Sequence, residues 1–565
     1  MTKQPKWWQT AVFYQIYPRS FADGNGDGIG DFKGMIEKLD YLHDLGIDGI
    51  WLSPHFPSPY VDCGYDVSDY RGVAPEYGTM QDFKGFLEGA HQRGIRVVLD
   101  LVLNHTSDQH PWFQESRKDK TNPKRDWYIW KSPVNGREPN NWYSTFGGSA
   151  WELDENTGEY YYHYFFKQQP DLNWKNPAVW EAMFNEARFW LDMGVDGFRL
   201  DAVGTIFEDE RYENRPEDMT QEKLFKLSHE VKNDEMNAEV LKYWLAMFHR
   251  QVDQPEVHEI TKALRKVVDE YEDRVLIGET DDIAFYGDND NELHLNFNFP
   301  LMRTPRITAA HVSRNQEERL AALPDWAWPC NTFGNHDSSR VFSNYGDGIN
   351  NDKQARLYLM LLLTLKGTPF LYNGEEIGMT DYALTDPAQF RDPLSTLFYG
   401  WAKSVLGMNE GEAIQVGAIR GRDKCRTPMQ WSGEKNGGFC PEGVKPWLPV
   451  NPNYDSGINV DTQSGDPESL LAFYRRALAI RKSSSALQYG EYERLGVKDE
   501  EVLFFKRKHG GEEVFILLNM SARAIEVEFE RGGKFNNAIL SNDQVDVVPN
   551  RNQVKLAPYQ GILYS

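Results

Sequence analysis

Cysteine is scarce: four residues in 565, Cys63, Cys330, Cys425 and Cys440, stand far apart with no CxxC pair. Neither a disulfide framework nor a zinc site is indicated, and thiols in a reducing, cytoplasmic setting are expected. Long apolar runs are missing as well. None reaches the ~18 residues of a membrane helix, and Met1 to Thr10 lacks the apolar core of a secretory signal. Positive charge is in deficit, with 61 Lys and Arg against 85 Asp and Glu for a net charge of −24. That balance argues against nucleic acid or an anionic membrane surface as a partner and leaves a neutral substrate open. Aromatic residues, by contrast, make up 13% of the chain, with 17 Trp and 28 Tyr. Flat rings suit stacking on sugars, and cores use them too. The length exceeds what one core usually serves, so two or three domains are expected.

The most informative stretch is Gly197-Phe198-Arg199-Leu200-Asp201. The run Ala178 to Gly194 before it is helical in period, with Trp180, Met183, Phe184, Ala187 and Leu191 along one face and a glycine stop. A buried strand, Val195 to Leu200, then carries an acid at its tip. This helix, glycine, strand and acid is the repeating unit of a parallel α/β protein whose chemistry sits at strand ends.

The unit recurs along the chain. Expected strands are Ala11–Pro18, Ile47–Leu52, Ile95–Val102, Val195–Leu200, Arg274–Glu279, His294–Phe299, Pro329–Gly334 and Pro369–Tyr372. Phe32 to Gly46, Asp82 to Gly94, His258 to Tyr271 and Lys353 to Gly367 are the intervening helices. Eight alternations predict a (β/α)8 barrel over 1–106 and 175–484. The Trp-, Tyr- and Pro-rich stretch 107–174 is too long for a βα loop and predicts a small inserted domain after the third strand, with a strand over Glu159–Phe166. Gly204 to Glu256 is a charged, mostly helical excursion. Over 485–565 the period drops to two, as in Val502–Lys506, Val514–Leu518 and Ile525–Phe529, which predicts an antiparallel β-sandwich.

Three acids fall at the ends of the fourth, fifth and seventh strands: Asp201, Glu279 and Asp337. Barrel geometry brings such tips to one mouth, with His105, Arg199 and His336 facing the same space. Paired carboxylates there suit glycoside chemistry, one meeting the cationic anomeric carbon and the other giving a proton to the leaving oxygen. Arg199, two residues from Asp201 on one strand face, is expected to hold that acid ionised. A second motif, Asp23-Gly-Asn25-Gly-Asp27-Gly-Ile29-Gly-Asp31, alternates oxygen-bearing side chains with glycines. That spacing suits a structural Ca²⁺ or Mg²⁺ held by Asp23, Asn25, Asp27, Asp31 and the Ile29 carbonyl.

Asp100-Leu-Val-Leu-Asn104-His105, Gly197-Phe-Arg199-Leu-Asp201, Gly278-Glu279 and Asn335-His336-Asp337 resemble the four sequence blocks of the α-amylase superfamily, glycoside hydrolase family 13. The resemblance runs end to end. Gln169-Pro-Asp-Leu-Asn173, the metal loop and Arg426-Thr-Pro-Met-Gln-Trp431 are similar to the oligo-1,6-glucosidase/α-glucosidase branch. It implies a retaining double displacement with Asp201 as nucleophile, Glu279 as acid and then base, and Asp337 clamping sugar hydroxyls. It further implies Asp62, Tyr65, His105, Phe165, Arg199 and His336 around a terminal glucose. Arg422 or Arg426 is left open as the partner of Asp62 that closes the pocket. A closed end implies release of single glucoses from non-reducing ends of short α-glucosides. Ala202, small where α-1,6-specific relatives carry valine, resembles α-1,4-acting members, and the loop Gly204 to Glu256 is expected to wall the aglycone side, without its sequence naming a substrate. No organic cofactor is implied, and the chain is expected as a monomer or homo-oligomer.

Two alternatives stand beside this reading. A glucosyl-transferring isomerase, such as a trehalose synthase or sucrose isomerase, shares the four blocks. Against the sucrose isomerases, Leu301-Met-Arg-Thr-Pro-Arg306 replaces their Arg/Asp-rich stretch. A non-catalytic amylase-like binding protein, of the kind found in transporter heavy chains, would carry a membrane helix and lack the acids that this chain retains.

Overall fold

The structure, a computed structural model, describes residues 5–216, 219–232, 234–528, 537–544 and 553–565. Its centre is a ring of short parallel strands: β1 Phe13–Ile16, β2 Gly49–Leu52, β3 Arg96–Val102, β4 Gly197–Asp201, β5 Val275–Gly278, β6 Leu295–Asn296, β7 Cys330–Thr332 and β8 Thr368–Tyr372. They are ordered β7-β8-β1-β2-β3-β4-β5-β6 in space. A parallel bridge from Phe297 to Cys330, with Asn298 N donating to the Cys330 carbonyl at 3.2 Å, joins β6 to β7 and closes the barrel. Every residue of β1, β2, β4, β5 and β8 is buried. Helices cover the outer face of such strands and side chains fill the inside, so they read as continuous apolar runs. Gly197 opens β4 at φ 150°, and a Cβ there would meet the Val275 carbonyl at 2.1 Å, so only glycine lets β4 lie this close to β5.

Two sequence expectations change locally. The helix expected over Phe32–Gly46 is two, Phe32–Glu37 and Leu39–Leu45, because Lys38 at φ −100°, ψ 3° leaves the helical region between them. The strand expected over His294–Phe299 keeps only Leu295–Asn296 in the ladder, since the chain turns at Phe299–Met302 into a helical turn. The helix before β4 spans Pro177–Asp192, opened by Asn176 accepting from Ala178 N. Val179 and Trp190 are buried on it, whereas Trp180 is half-buried and donates its Nε1 to the Trp174 carbonyl.

Within 107–174 three short strands pair antiparallel, with Glu159–Tyr162 between Trp130–Lys131 and Trp151–Asp154. The expected strand therefore stops at Tyr162. Its aromatic core of Trp142, Trp151, Tyr162 and Tyr164 is completed by Leu224, Met247 and Phe248 from the excursion after β4. Two segments that read separately in sequence thus share one core, because neither buries its apolar face alone.

The C-terminal unit is two antiparallel sheets. Glu491–Arg494, Val502–His509, Glu512–Asn519, Gly561–Tyr564 and Ala538–Ser541 form one in that spatial order, and Ile525–Glu528 pairs with Gln553–Leu556 in the other. The expected strand end at Phe529 lies outside the described residues. Alternation serves both faces of the larger sheet. Val502, Phe504 and Leu517 pack on Val527, Val554 and Leu556, while Leu503, Phe505, Ile516 and Leu518 join the barrel's core. One buried arginine, Arg507, pins this join, and a second, Arg481 on helix Leu470–Ser483, braces the barrel side of it. Arg507 Nη1 donates to the carbonyls of Thr364 and Leu365 at 2.7 Å each, and Arg481 donates to Leu363 and Gly367 at 2.6 and 2.9 Å. Among the described residues no helix is long and apolar enough to cross a membrane.

Candidate active site

Asp201 ends β4, Glu279 directly follows β5, and Asp337 lies five residues beyond β7. All three line one cavity of about 660 Å³ with Asp62, Tyr65, His105, Phe165 and Arg422. Arg199, His336 and Arg426 stand one layer behind, each at most 1% exposed. Every site residue expected from sequence in this region is therefore in the cavity wall or braces it.

Arg199 is the hub. Its Nη1 lies 2.6 Å from Asp100 and 2.8 Å from Asp201, and its Nη2 lies 2.8 Å from Glu279. The amide of Ala202 donates to Glu279 Oε2 at 2.9 Å. Ala202 adopts the left-handed backbone, φ 41° and ψ 44°, which a β-branched residue tolerates poorly. The turn thus points Asp201 into the cavity and returns an N–H to the second acid. Three carboxylates surround one cation. Burial pushes Asp201 well above the usual carboxylate range, with Arg199 opposing and Glu279 and Asp100 adding to the rise. Arg199 is the group that favours the ionised form of Asp201, and it does so against desolvation and two neighbouring acids. Asp100 is likewise pushed up to about 6 by burial, against Arg199 and the Trp51 Nε1 bond.

The deep end is closed by charge. Arg422 Nη2 lies 2.7 Å from Asp62 and 2.8 Å from Asp392, so Arg422, and not Arg426, is the partner of Asp62. Arg426 instead sits behind Asp337, donating to its carboxylate from Nη2 and to the His336 carbonyl from Nε at 2.8 Å. Burial works to raise Asp337, but His336, Arg426 and Arg422 hold it well below the usual carboxylate range. Burial drops His336 and His105 to about 3, so both are neutral at any working pH and the two guanidiniums supply the lasting positive charge.

A chain of polar contacts fixes the wall between these ends. Gln169 Nε2 lies 3.0 Å from Asp62 and 2.9 Å from His105, and His105 Nε2 lies 3.2 Å from the Tyr65 carbonyl. Tyr65 Oη is 2.7 Å from His336 Nε2, whose Nδ1 is 2.7 Å from Gln15. The loop carrying Asp62 holds Tyr60 and Cys63 at φ 62° and 52°. Asp66 keeps it in place, accepting from Ser58, Val61 N and Asp62 N at 2.8 to 3.0 Å. The Cys63 thiol is raised to about 12 by burial and is inert beside this chemistry.

The excursion Gly204 to Glu256 does wall part of the cavity, as expected, though its sequence did not say through which side chains. Leu241, Trp244 and Leu245 from helix Asp234–Phe248 line the cavity, together with Asp253, Asp281, Asp282, Phe299 and Arg303. Thr205 Oγ1 donates to Asn104 at 3.1 Å, tying the turn after Asp201 to the end of β3.

The Asp23–Asp31 loop keeps its oxygen-bearing side chains around one turn. Asp23 Oδ1 accepts from Asn25 N at 3.1 Å and Gly26 N at 2.6 Å, Asn25 Nδ2 donates to Asp27 at 3.1 Å, and Asp31 Oδ2 accepts from Asn25 N at 2.9 Å. Backbone amides, rather than one another, gather these acids, and no cluster of three or more metal-binding His, Cys, Asp or Glu occurs among the described residues. The donors are oxygen throughout, the chemistry a hard cation requires.

Comparison with known proteins places these features in company. Residues 15–490 match the α-amylase catalytic domain and residues 492–562 the maltogenic amylase C-terminal domain. The oligo-1,6-glucosidase of Parageobacillus thermoglucosidasius is 38% identical over 99% of this chain and 98% of its own. A probable α-glucosidase of Rhizobium meliloti is 40% identical over 92% and 91%. The trehalulose synthase MutB of Pseudomonas mesoacidophila superposes with a TM-score of 0.87 at 36% identity, covering all of both chains.

Proposed function

The chain belongs to the α-amylase family of glycoside hydrolases, and we propose that within it the enzyme is a retaining, exo-acting α-glucosidase that takes single glucoses from short α-glucosides. The carrying observation is the Arg422–Asp62 pair at 2.7 Å in the wall of the cavity that holds Asp201 and Glu279, and in this reading the pair closes its glucose end. Room for one sugar before the scissile bond makes the enzyme cut at chain ends.

In this reading Asp201 attacks the anomeric carbon while Glu279 gives its proton to the leaving oxygen. The carboxylate–carbon bond forms as the glycosidic bond breaks, leaving a β-glucosyl-enzyme. Glu279, now ionised, takes a proton from water, whose oxygen displaces Asp201 with a second inversion and frees α-glucose. Arg199 touches both acids, so it accommodates negative charge as it moves from one to the other. Asp337, held ionised, accepts from sugar hydroxyls, and the neutral histidines add donors without adding charge. The oxygen donors of the Asp23–Asp31 loop fit a Ca²⁺ or Mg²⁺, which when bound would cross-link the loop and take no part in the chemistry.

A second reading, transfer of the same glucosyl group to a sugar hydroxyl, is favoured by the apolar outer wall of Leu241, Trp244 and Leu245, which hinders free water. Chromatography of products from maltose, isomaltose, sucrose, trehalose and nigerose separates the two. Free glucose as the main product supports hydrolysis. An isomer or longer oligosaccharide as the main product supports transfer and overturns the first reading.

A further inference from the structure

Eight large hydrophobic side chains are exposed among the described residues, and three of them, Leu241, Trp244 and Leu245, sit within two turns of one helix. Their exposures are 56, 37 and 50%. Positions i, i+3 and i+4 form one helix face. A different face of the same helix is already satisfied: Val240, Tyr243, Met247 and Phe248 pack into the aromatic core of the inserted domain. The second apolar face is therefore not core surface left over at random. It borders the cavity that holds Asp201 and Glu279.

The wall is also held in place. Trp244 lies on Phe248 with ring centroids 5.1 Å apart, and Phe248 meets Tyr164 edge-on at 5.9 Å. Charged side chains line the cavity as well, and unevenly. Asp253, Asp281 and Asp282 share the lining with Arg303, whose Nη1 lies 3.9 Å from Asp281 and whose guanidinium stacks over Phe299 at 4.7 Å. An anionic leaving group would meet three carboxylates and one arginine. A neutral group with an apolar face would meet Trp244 and two leucines, and unexposed it would gain the burial they now lack.

We propose that Leu241, Trp244 and Leu245 are specificity determinants that clamp the leaving group and select glucosides of neutral aryl or alkyl alcohols over those of phosphorylated sugars. The inference rests on the α-glucosidase reading and names the substrate class of that site.

The test uses the full-length enzyme, the double variant Leu241→Gln/Leu245→Gln, Trp244→Ala, and the conservative Leu241→Met. Two substrates are compared, a phenyl α-glucoside and α-glucosyl fluoride, whose leaving group is too small to reach the helix. The ratio of kcat/KM for the phenyl glucoside to that for the fluoride is expected to fall about tenfold in the double variant and in Trp244→Ala, chiefly through KM. Leu241→Met is expected to keep it. Unsubstituted enzyme is expected to prefer phenyl glucoside over a glucosyl glucose 6-phosphate. Equilibrium binding of an octyl 1-thio-α-glucoside reads the clamp without turnover and should weaken by a similar factor. An unchanged ratio with unchanged binding overturns the proposal. So does a change in sedimentation of the double variant without either effect, which would make this face a contact between copies of the chain. If unsubstituted enzyme fails to turn over the fluoride yet binds the thioglucoside through these residues, the α-glucosidase reading falls and the clamp stands.

Discussion

Arg422 reaches Asp62 with an Nη2–Oδ1 separation of 2.7 Å, and both side chains are nearly buried, at 11 and 6% exposure. Breaking a buried pair from one side leaves an uncompensated charge, at a cost of about 3–5 kcal/mol. Asp62→Ala and Arg422→Met are each expected to lower kcat/KM on disaccharides by at least about a hundredfold. Because the pair closes one end, the surviving activity should shift towards longer maltooligosaccharides, with products larger than glucose. Steady-state kinetics and product chromatography check both. A variant that keeps glucose as sole product at wild-type efficiency would remove the pair from the account.

The two acids on Arg199 should respond differently to substitution. Asp201→Asn or Ala is expected to abolish turnover of every glucoside, to below roughly one part in 10⁴, since no glucosyl-enzyme forms. Glu279→Ala should be milder on nitrophenyl α-glucoside, which needs little proton donation, and should show a burst of nitrophenol as the intermediate accumulates. Added azide should rescue it, displacing Asp201 from the β-glucosyl-enzyme with inversion to give an α-glucosyl azide. NMR of the unsubstituted reaction should show α-glucose first. Initial β-glucose refutes the double displacement.

Glu375, beyond β8, offers a pH test away from the chemistry. Burial, with Glu376 beside it, pushes its carboxyl from 4.5 up to about 8. Across that window the folded state binds the extra proton, so stability falls as pH rises from about 4.5 to about 8. Glu375→Gln has no proton to lose. Its Tm is expected to fall less steeply between pH 5 and 8 and to exceed that of the unsubstituted enzyme at pH 9, with no advantage at pH 5. Parallel Tm profiles in differential scanning calorimetry would contradict this.

For the Asp23–Asp31 loop, exhaustive chelation is expected to lower Tm and added Ca²⁺ or Mg²⁺ to restore it, in proportion to metal found by elemental analysis. Asp27→Ala should remove both the metal and the response. A Tm indifferent to chelator, with no metal bound, would reduce the motif to a hydrogen-bonded turn.

Much of this site was readable because barrel chemistry sits at strand ends. Once Val195–Leu200 was placed as a strand, Asp201 had to face the mouth, and the same rule placed Glu279 and Asp337. The choice between Arg422 and Arg426 was not readable, as both lie in one segment whose backbone carries no period. The turn at Arg422–Arg426 sends the first side chain to Asp62 and the second behind Asp337. What Arg199 works against at Asp201 was hidden for a related reason. Sequence shows the arginine two residues away but not Asp100 and Glu279 converging on it from β3 and β5. That the excursion Gly204 to Glu256 would wall the leaving-group side was readable, but not which of its side chains would do so, because helix 234–248 presents two apolar faces and spacing alone does not say which of them a protein core fills.

The arginines at the sandwich join carry a consequence for how the chain divides. Arg507 belongs by sequence to the C-terminal sheet, yet its guanidinium ends on the last carbonyls of helix Asn351–Thr364, the element that hands the chain to β8. Helix ends leave such carbonyls without partners unless something supplies donors. The border near residue 490 is thus a seam in heredity but not in mechanics. A barrel excised there would lose the donors that finish one of its own helices, and a sandwich transplanted from elsewhere would serve only if it delivered a buried cation to the same spot.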